Sequence, residues 1–303
     1  MGRSIDMPPP NGACWRKFQG GPQMQRQIAP IPRPVAAMLA ILLATAASAQ
    51  PLATPAERLA SLDSGTLSPS AQAAVVASRD AWRALTLLPT GRWLLVNIPA
   101  FEISLYDGPV RQATWRAIVG KPATPTPSFT GSATAVILNP WWDVPASIVA
   151  ESVGRLVARN PKKAARDGYV RIGDRYRQMP GPANQLGQMK LDFVNAFSVG
   201  IHDTPSKPLF GRARRALSHG CIRVDDPFGF AATLLGPPAS RDSLKTVADT
   251  SRTTQRLAFA APLPVIVGNF TAEVADDGSL RLFDDVYRRV RTMPATASDA
   301  CSM

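Results

Sequence analysis

From Arg92 onward the apolar residues come in runs of strand length, each closed by a turn former. WLLVNIP, FEISLYD, ATWRAIVG and SATAVILNP are rich in β-branched and aromatic residues. Proline, glycine or an Asp-Gly pair bounds each of them, as is usual for strands. Asp107-Gly108 and Asp277-Gly278 read as hairpin turns, the second joining LPVIVGNFTAEV to SLRLFDD. LDFVN and FSVGIHD add further strand-like runs. Helical signals are fewer. Residues 147–158 fit a helix, Asp226-Pro227 caps another that reaches Leu235, and a short one covers 241–248. WWDVP, bracketed by Pro140 and Pro145, predicts no regular element, and the basic, Gly/Pro-rich segment 160–190 predicts mostly loop. The expected fold class is therefore mainly β with peripheral helices, sandwich-like or barrel-like.

The segment before Arg92 differs. Thr54-Pro55-Ala56-Glu57 combines a capping Thr, Pro at the first helical position and Glu three residues after the cap. A second helix starts at Ser68-Pro69, with Ala74, Val75, Ala81, Trp82 and Leu85 on one face. Residues 50–90 are expected to form a linker and a small helical arm. Further upstream, Arg26 and Arg33 precede the apolar run VAAMLAILLATAA, and Ala47-Ser48-Ala49 fits a signal peptidase site. Residues 1–49 thus read as an export signal too short for a comfortable span, with Met24 a candidate start and no membrane anchor retained after cleavage. Cleavage would reduce the formal charge from +12 to +8 and remove Cys14. It would leave Cys221 and Cys301, one in a motif and one in a polar tail, so no structural disulfide is expected. The tail from Thr292 is expected to be disordered. No basic stripe interleaved with aromatics occurs, and no nucleic-acid partner is expected. The catalytic unit is placed at 91–291.

Chemistry concentrates in IHDTPSKPLFGRARRALSHGCIRVDDP, residues 201–227. It contains both histidines of the chain, His202 and His219, and Cys221. A cysteine and a histidine make a nucleophile and base for acyl transfer, and nearby positive charge favours the thiolate. Arg223, Arg215 and His219 are the candidate cations. Gly220 permits a sharp turn and close approach of a second molecule. Residue chemistry leaves both histidines as candidate bases and favours His202, because it ends an apolar strand-like run. Two histidines and a cysteine could also hold zinc, but neither carboxylate pairing nor H-x-x-x-H spacing supports a metal.

HDTP…SHGCIRV resembles the signature of YkuD-type L,D-transpeptidases. VGKPATPTPSF, NPWWDVP, PGPANQLGQMKLDFVN and HDTPSKPLF are similar to the catalytic domain of that family's larger Gram-negative branch, and the resemblance covers about 90 to 290. It implies a mostly β domain acting in the periplasm on peptidoglycan stem peptides, as donor and as acceptor, without a cofactor. It implies Cys221 as nucleophile, His202 as base, His219 with the Gly220 and Cys221 amides on the oxyanion side, and Ser218 as support. Arg223 would hold a substrate carboxylate or the loop, Arg215 would belong to a basic rim, and Trp142 would line the cleft. Carbapenem-type inhibitors are expected to acylate the cysteine. The segment between NPWWDVP and RQMPGPANQLG is short for the branch, which implies a reduced cap, a more open site and cross-links of 3,3 or 1,3 type. A Cys–His peptidoglycan hydrolase and a non-catalytic wall-binding protein are the competing functions.

Overall fold

The computed structural model describes residues 53–85 and 88–290. The export signal, the candidate start at Met24, Cys14, the tail from Thr292 and Cys301 lie outside those residues. No helix among the described residues is long and apolar enough to cross a membrane.

Two helices lead into the sheet, α1 (Pro55–Ser61) and α2 (Pro69–Arg83). Thr54 and Glu57 exchange hydrogen bonds around the start of α1, the reciprocal cap that the sequence encodes. Then come β1 (Arg92–Asn97), β2 (Glu102–Asp107), β3 (Val110–Gly120) and β4 (Phe129–Leu138). A capping segment follows. It contains β5 (Trp142–Asp143), α3 (Ala146–Ile148), a π-turn (Val149–Val153), α4 (Gly154–Arg159), α5 (Pro161–Arg166), β6 (Tyr169–Ile172) and β7 (Arg175–Gln178). The chain then returns through β8 (Met189–Val194), β9 (Ile201–His202), β10 (Ala216–Ser218) and β11 (Ile222–Val224). It ends with α6 (Pro227–Leu235), α7 (Arg241–Thr250), β12 (Gln255–Gly268) and the hairpin β13 (Ala272–Val274) to β14 (Leu280–Leu282).

The large sheet runs β10-β3-β11-β9-β8-β4-β12-β1-β2, and β2 pairs again with β3, so the strands close on themselves. The closure is possible because β3 is long. Its first part pairs with β2 and its last residues pair with β11 and β10. The expectation of a mainly β fold with peripheral helices holds. The apolar runs in β1 and β12 are continuous because both faces are covered. Leu94, Val96, Val265 and Val267 face the central core, while Trp93, Leu95 and Ile266 face the other way, onto the helical arm. Leu59, Val75 and Trp82 of the arm are buried there, each worth about 2 kcal/mol by area. Trp82 stacks on Phe270 at 4.1 Å. The segment 50–90 is thus more than a linker, since its helices cover one face of the sheet.

The capping segment departs from the loop expected of 160–190. Two buried amides organise it. Gln178 donates to the Asp167 and Ala183 carbonyls and accepts from the Gln185 amide. Asn184 donates to the Pro140 and Met179 carbonyls and accepts from the Leu186 amide. These bonds satisfy turn backbone that would otherwise need water, so a basic, glycine-rich sequence can hold a helix and a hairpin. WWDVP also contributes a regular piece, since β5 pairs with β7.

Candidate active site

β9 and β11 are parallel neighbours, with Ile201 opposite Ile222 and His202 opposite Arg223. Strand side chains alternate, so Ile201, Ile222 and Val224 enter the core while His202, Cys221 and Arg223 share the opposite face. Gly200 lies beside Cys221 and has no side chain to fill the space. Its amide donates to Cys221 Sγ at 3.3 Å. A Cβ on Gly200 would stand 3.6 Å from His202 Cδ2 and 3.7 Å from Cys221 Sγ, so thiol and imidazole flank one point of the backbone.

His202 is buried, and its Nδ1 bonds the Asp203 carbonyl. That bond assigns the proton to Nδ1 and leaves the Nε2 lone pair for a substrate or thiol proton. Burial, then the charges of Arg223 and Lys190, lowers its pKa to about 4, against the opposing pull of the Asp203 and Leu186 carbonyls. Asp203 is locked in turn. Its carboxylate accepts from the Gln188 amide at 2.9 Å and the Thr204 amide at 2.6 Å, and it pairs with Lys207. Gly187 makes room for it, since a Cβ there would lie 2.2 Å from Asp203 Oδ2.

Cys221 is mostly buried, and burial raises its thiol pKa, opposed by the Gly200 amide and by Arg223. The expected thiolate-favouring environment is therefore corrected. Burial thus favours a neutral thiol and a neutral imidazole, because desolvation outweighs the nearby cation. Arg223 is that cation. Its Nε is buried with no acceptor, and it makes no ion pair among the described residues.

Ser218 fixes the turn before the cysteine. Its hydroxyl donates to the Cys221 carbonyl at 2.5 Å and accepts from the Gly220 amide at 3.1 Å. The Gly220 amide is therefore bonded within the turn. The Cys221 amide has no acceptor among the described residues. Gly220 has φ +114°, a conformation that favours glycine. Thr126 braces the turn from below, donating to the Gly220 carbonyl at 2.8 Å while accepting from Gly120 at 2.9 Å.

His219 stands apart, half exposed at the rim. Its Nε2 lies 3.0 Å from Glu151 Oε2 of the π-turn and 3.4 Å from Lys121 Nζ. Arg215 is not in the cleft at all. Its guanidinium donates to the Ala117, Arg212 and Phe101 carbonyls and lies over the Phe101 ring, so it braces the fold instead of a basic rim.

Cys221, His202, Arg223, Ser218 and His219 line one cavity of about 530 Å³, and Trp142, Ile148, Glu151, Tyr169 and Leu186 form its other wall. Trp142 is thus at the cleft as expected. The capping segment, short in sequence, supplies Trp142, Ile148, Glu151 and Tyr169 to that wall. A second concavity of about 390 Å³, near Leu235 and Leu257, is lined by no titratable group. Sequence reasoning missed Glu151, Asp203 and Thr126. Asp203 could have been suspected as the neighbour of His202, whereas Glu151 carried no signal. Among the described residues no group of three His, Cys, Asp or Glu side chains could hold a metal.

A family model described as the L,D-transpeptidase catalytic domain, YkuD, matches residues 91–259. A curated Haemophilus influenzae protein, provisionally named an L,D-transpeptidase, is 26% identical over 216 residues. That match covers 64% of this chain and 44% of the relative, so the chain spans under half the relative's length. Among solved structures, an L,D-transpeptidase from Mycobacterium smegmatis is 17% identical with a TM-score of 0.31, covering 58% of each chain. The catalytic domain of the Enterococcus faecium L,D-transpeptidase, acylated by ertapenem, is 15% identical with a TM-score of 0.33. That match covers 60% of this chain and 100% of the other.

Proposed function

The chain belongs to the YkuD family of L,D-transpeptidase catalytic domains, and from that premise we propose that it is an exported, periplasmic peptidoglycan L,D-transpeptidase using Cys221 as nucleophile. The observation that carries this reading is the cluster of Cys221, His202 and Arg223 on one face of adjacent parallel strands, open to one cavity. The donor is a stem peptide with diaminopimelate before its terminal D-residue. Arg223 attracts a carboxylate of that donor into the cleft, because its buried Nε has no acceptor among the described residues.

Sγ attacks the carbonyl at the L-centre of diaminopimelate while His202 Nε2 takes the thiol proton. The peptide C–N bond then breaks, and the same proton leaves on the amine of the departing D-residue. A neutral pair suits this sequence, because neither charge has to exist in the dry site before substrate arrives. The Cys221 amide is the available donor for the carbonyl oxygen as it becomes an oxyanion. In the second half the side-chain amine of another stem attacks the thioester and restores the thiol, forming a 3,3 cross-link from this donor, or a 1,3 cross-link where Sγ has instead attacked the L-alanine carbonyl of the donor and the rest of the stem has left on its amine.

Purified enzyme given a stem-peptide donor and an amine acceptor should yield dimers, and incubation with a carbapenem should add one inhibitor mass. Cys221→Ala should abolish both. Dimers of undiminished amount from that variant would sink the assignment. Shortened monomers without dimers would favour the hydrolase.

A further inference from the structure

Among the residues lining the cleft, Glu151 carries the only carboxylate. It comes from the capping segment, yet its Oε2 meets His219, two residues before the nucleophile, at 3.0 Å. The turn that carries it is built for this. Val149–Val153 is a π-turn, a wide turn that occurs often at functional sites and changes which face a side chain presents. Gly154 accommodates it, since a Cβ there would stand 2.9 Å from the Val149 carbonyl oxygen. A primary ammonium already occupies the spot. Lys121 Nζ lies 3.8 Å from Glu151 Oε1 and 3.4 Å from His219 Nε2, on a side chain exposed enough to swing away.

We propose that Glu151, its Oε2 held by the His219 ring, forms at Oε1 an acceptor-side subsite for a primary ammonium, whose place the Lys121 ammonium holds when no acceptor is bound. The inference rests on the transpeptidase reading and names what its second half-reaction requires. An alkylamine arrives protonated at neutral pH and must be held beside the thioester. The cleft's other charged lining group, Arg223, suits the donor's carboxylate and repels the acceptor's amine. Glu151 has the opposite sign on the opposite wall, so a carboxylate and an ammonium are drawn to different sides of the cleft. Once seated, the ammonium gives one proton to solvent. The free amine then attacks the thioester, the C–N bond forms as the C–S bond breaks, and the second amine proton returns to Sγ through His202.

The test is the ratio of dimer to hydrolysed monomer, made by the full chain from one donor with a diaminopimelate stem as acceptor. Water serves as the uncharged competitor in the same tube, so changes in acylation cancel. Glu151→Gln should lower the ratio about fivefold at subsaturating acceptor, the size of an exposed ion pair. The loss should lie in the acceptor KM and disappear at saturation. Lys121→Met should raise the ratio about twofold, because a competing ammonium is gone. Opposite signs are what a merely structural clasp would not give. If both variants lower the ratio, if neither moves it, or if the Glu151→Gln loss persists at saturating acceptor, the subsite is wrong. A wild-type chain that never forms an acyl-enzyme would instead overturn the transpeptidase reading, and the subsite with it.

Discussion

The two histidines sit within one cleft, yet their surroundings are opposite. His202 is carried by a strand, buried, bonded to a backbone carbonyl and pushed to about pKa 4. His219 stands at the rim between a carboxylate and an ammonium from two other elements. The difference fits the two tasks proposed for them. A group that moves a proton at a buried sulfur must stay neutral and fixed, and desolvation with a rigid acceptor does that. A group that meets charged substrates must remain wet and exchangeable. Side-chain pairs at the rim supply this at little cost in stability.

The largest effect should come from the strand side. His202→Ala is expected to slow acylation by a donor or carbapenem about 1,000-fold in stopped-flow measurements. An equal loss in His219→Ala would erase the distinction. Next comes the support of His202. Gly187 has φ +64° and touches Asp203, so Gly187→Ala should destabilise the fold by about 3 kcal/mol in urea titrations and slow acylation as well. Unchanged stability would mean that the Asp203 anchor moves freely.

The third prediction concerns pH. His202 has its pKa lowered to about 4 in the fold, against the ordinary 6.5, so the unfolded chain binds the extra proton first. Its contribution is therefore intact above pH 6.5 and lost as pH falls toward 4, by about 3 kcal/mol in all. Denaturation midpoints of wild type and His202→Gln should converge or cross over that window. The acid limb of acylation should likewise lie near pH 4; a limb near 6.5 would show His202 to be wetter than the geometry implies.

Smaller effects follow. Thr126→Val removes the two hydrogen bonds under the Gly220 turn and should cost about 2 kcal/mol, read as a lowered melting temperature. His219→Ala should slow acylation by less than about tenfold, whereas a loss beyond a hundredfold would return His219 to the oxyanion.

Much of this was legible in the chain. The β-rich class follows from short apolar runs and their turn formers, and the caps of α1, α2 and α6 are where Thr54, Ser68 and Asp226 place them. The grouping of Cys221, His202 and Arg223 was legible too, because SHGCIR and a histidine-ended run are contiguous patterns. Arg215 was misread for the same reason. Proximity in sequence placed it at the rim, but the chain between 207 and 216 turns its guanidinium onto the carbonyls of β3 and Phe101. The capping segment was misread because Gln178 and Asn184 stabilise it through side-chain bonds to turn backbone, which apolar periodicity and turn formers do not reveal.

Sequence alone determined the kind of chemistry, since residue identity fixes which atoms can attack, accept a proton or carry charge. It also determined the strand alternation that puts Cys221 and Arg223 on one face. Tertiary structure decided which of those atoms are charged, which amides are free and what stands across the cleft. Burial, not composition, favours a neutral thiol at Cys221 and a neutral imidazole at His202. Only the folded capping segment brings Glu151, 68 positions away in the chain, to within a hydrogen bond of His219. Desolvation and long-range contact depend on the whole fold, and neither is written in any local stretch of residues.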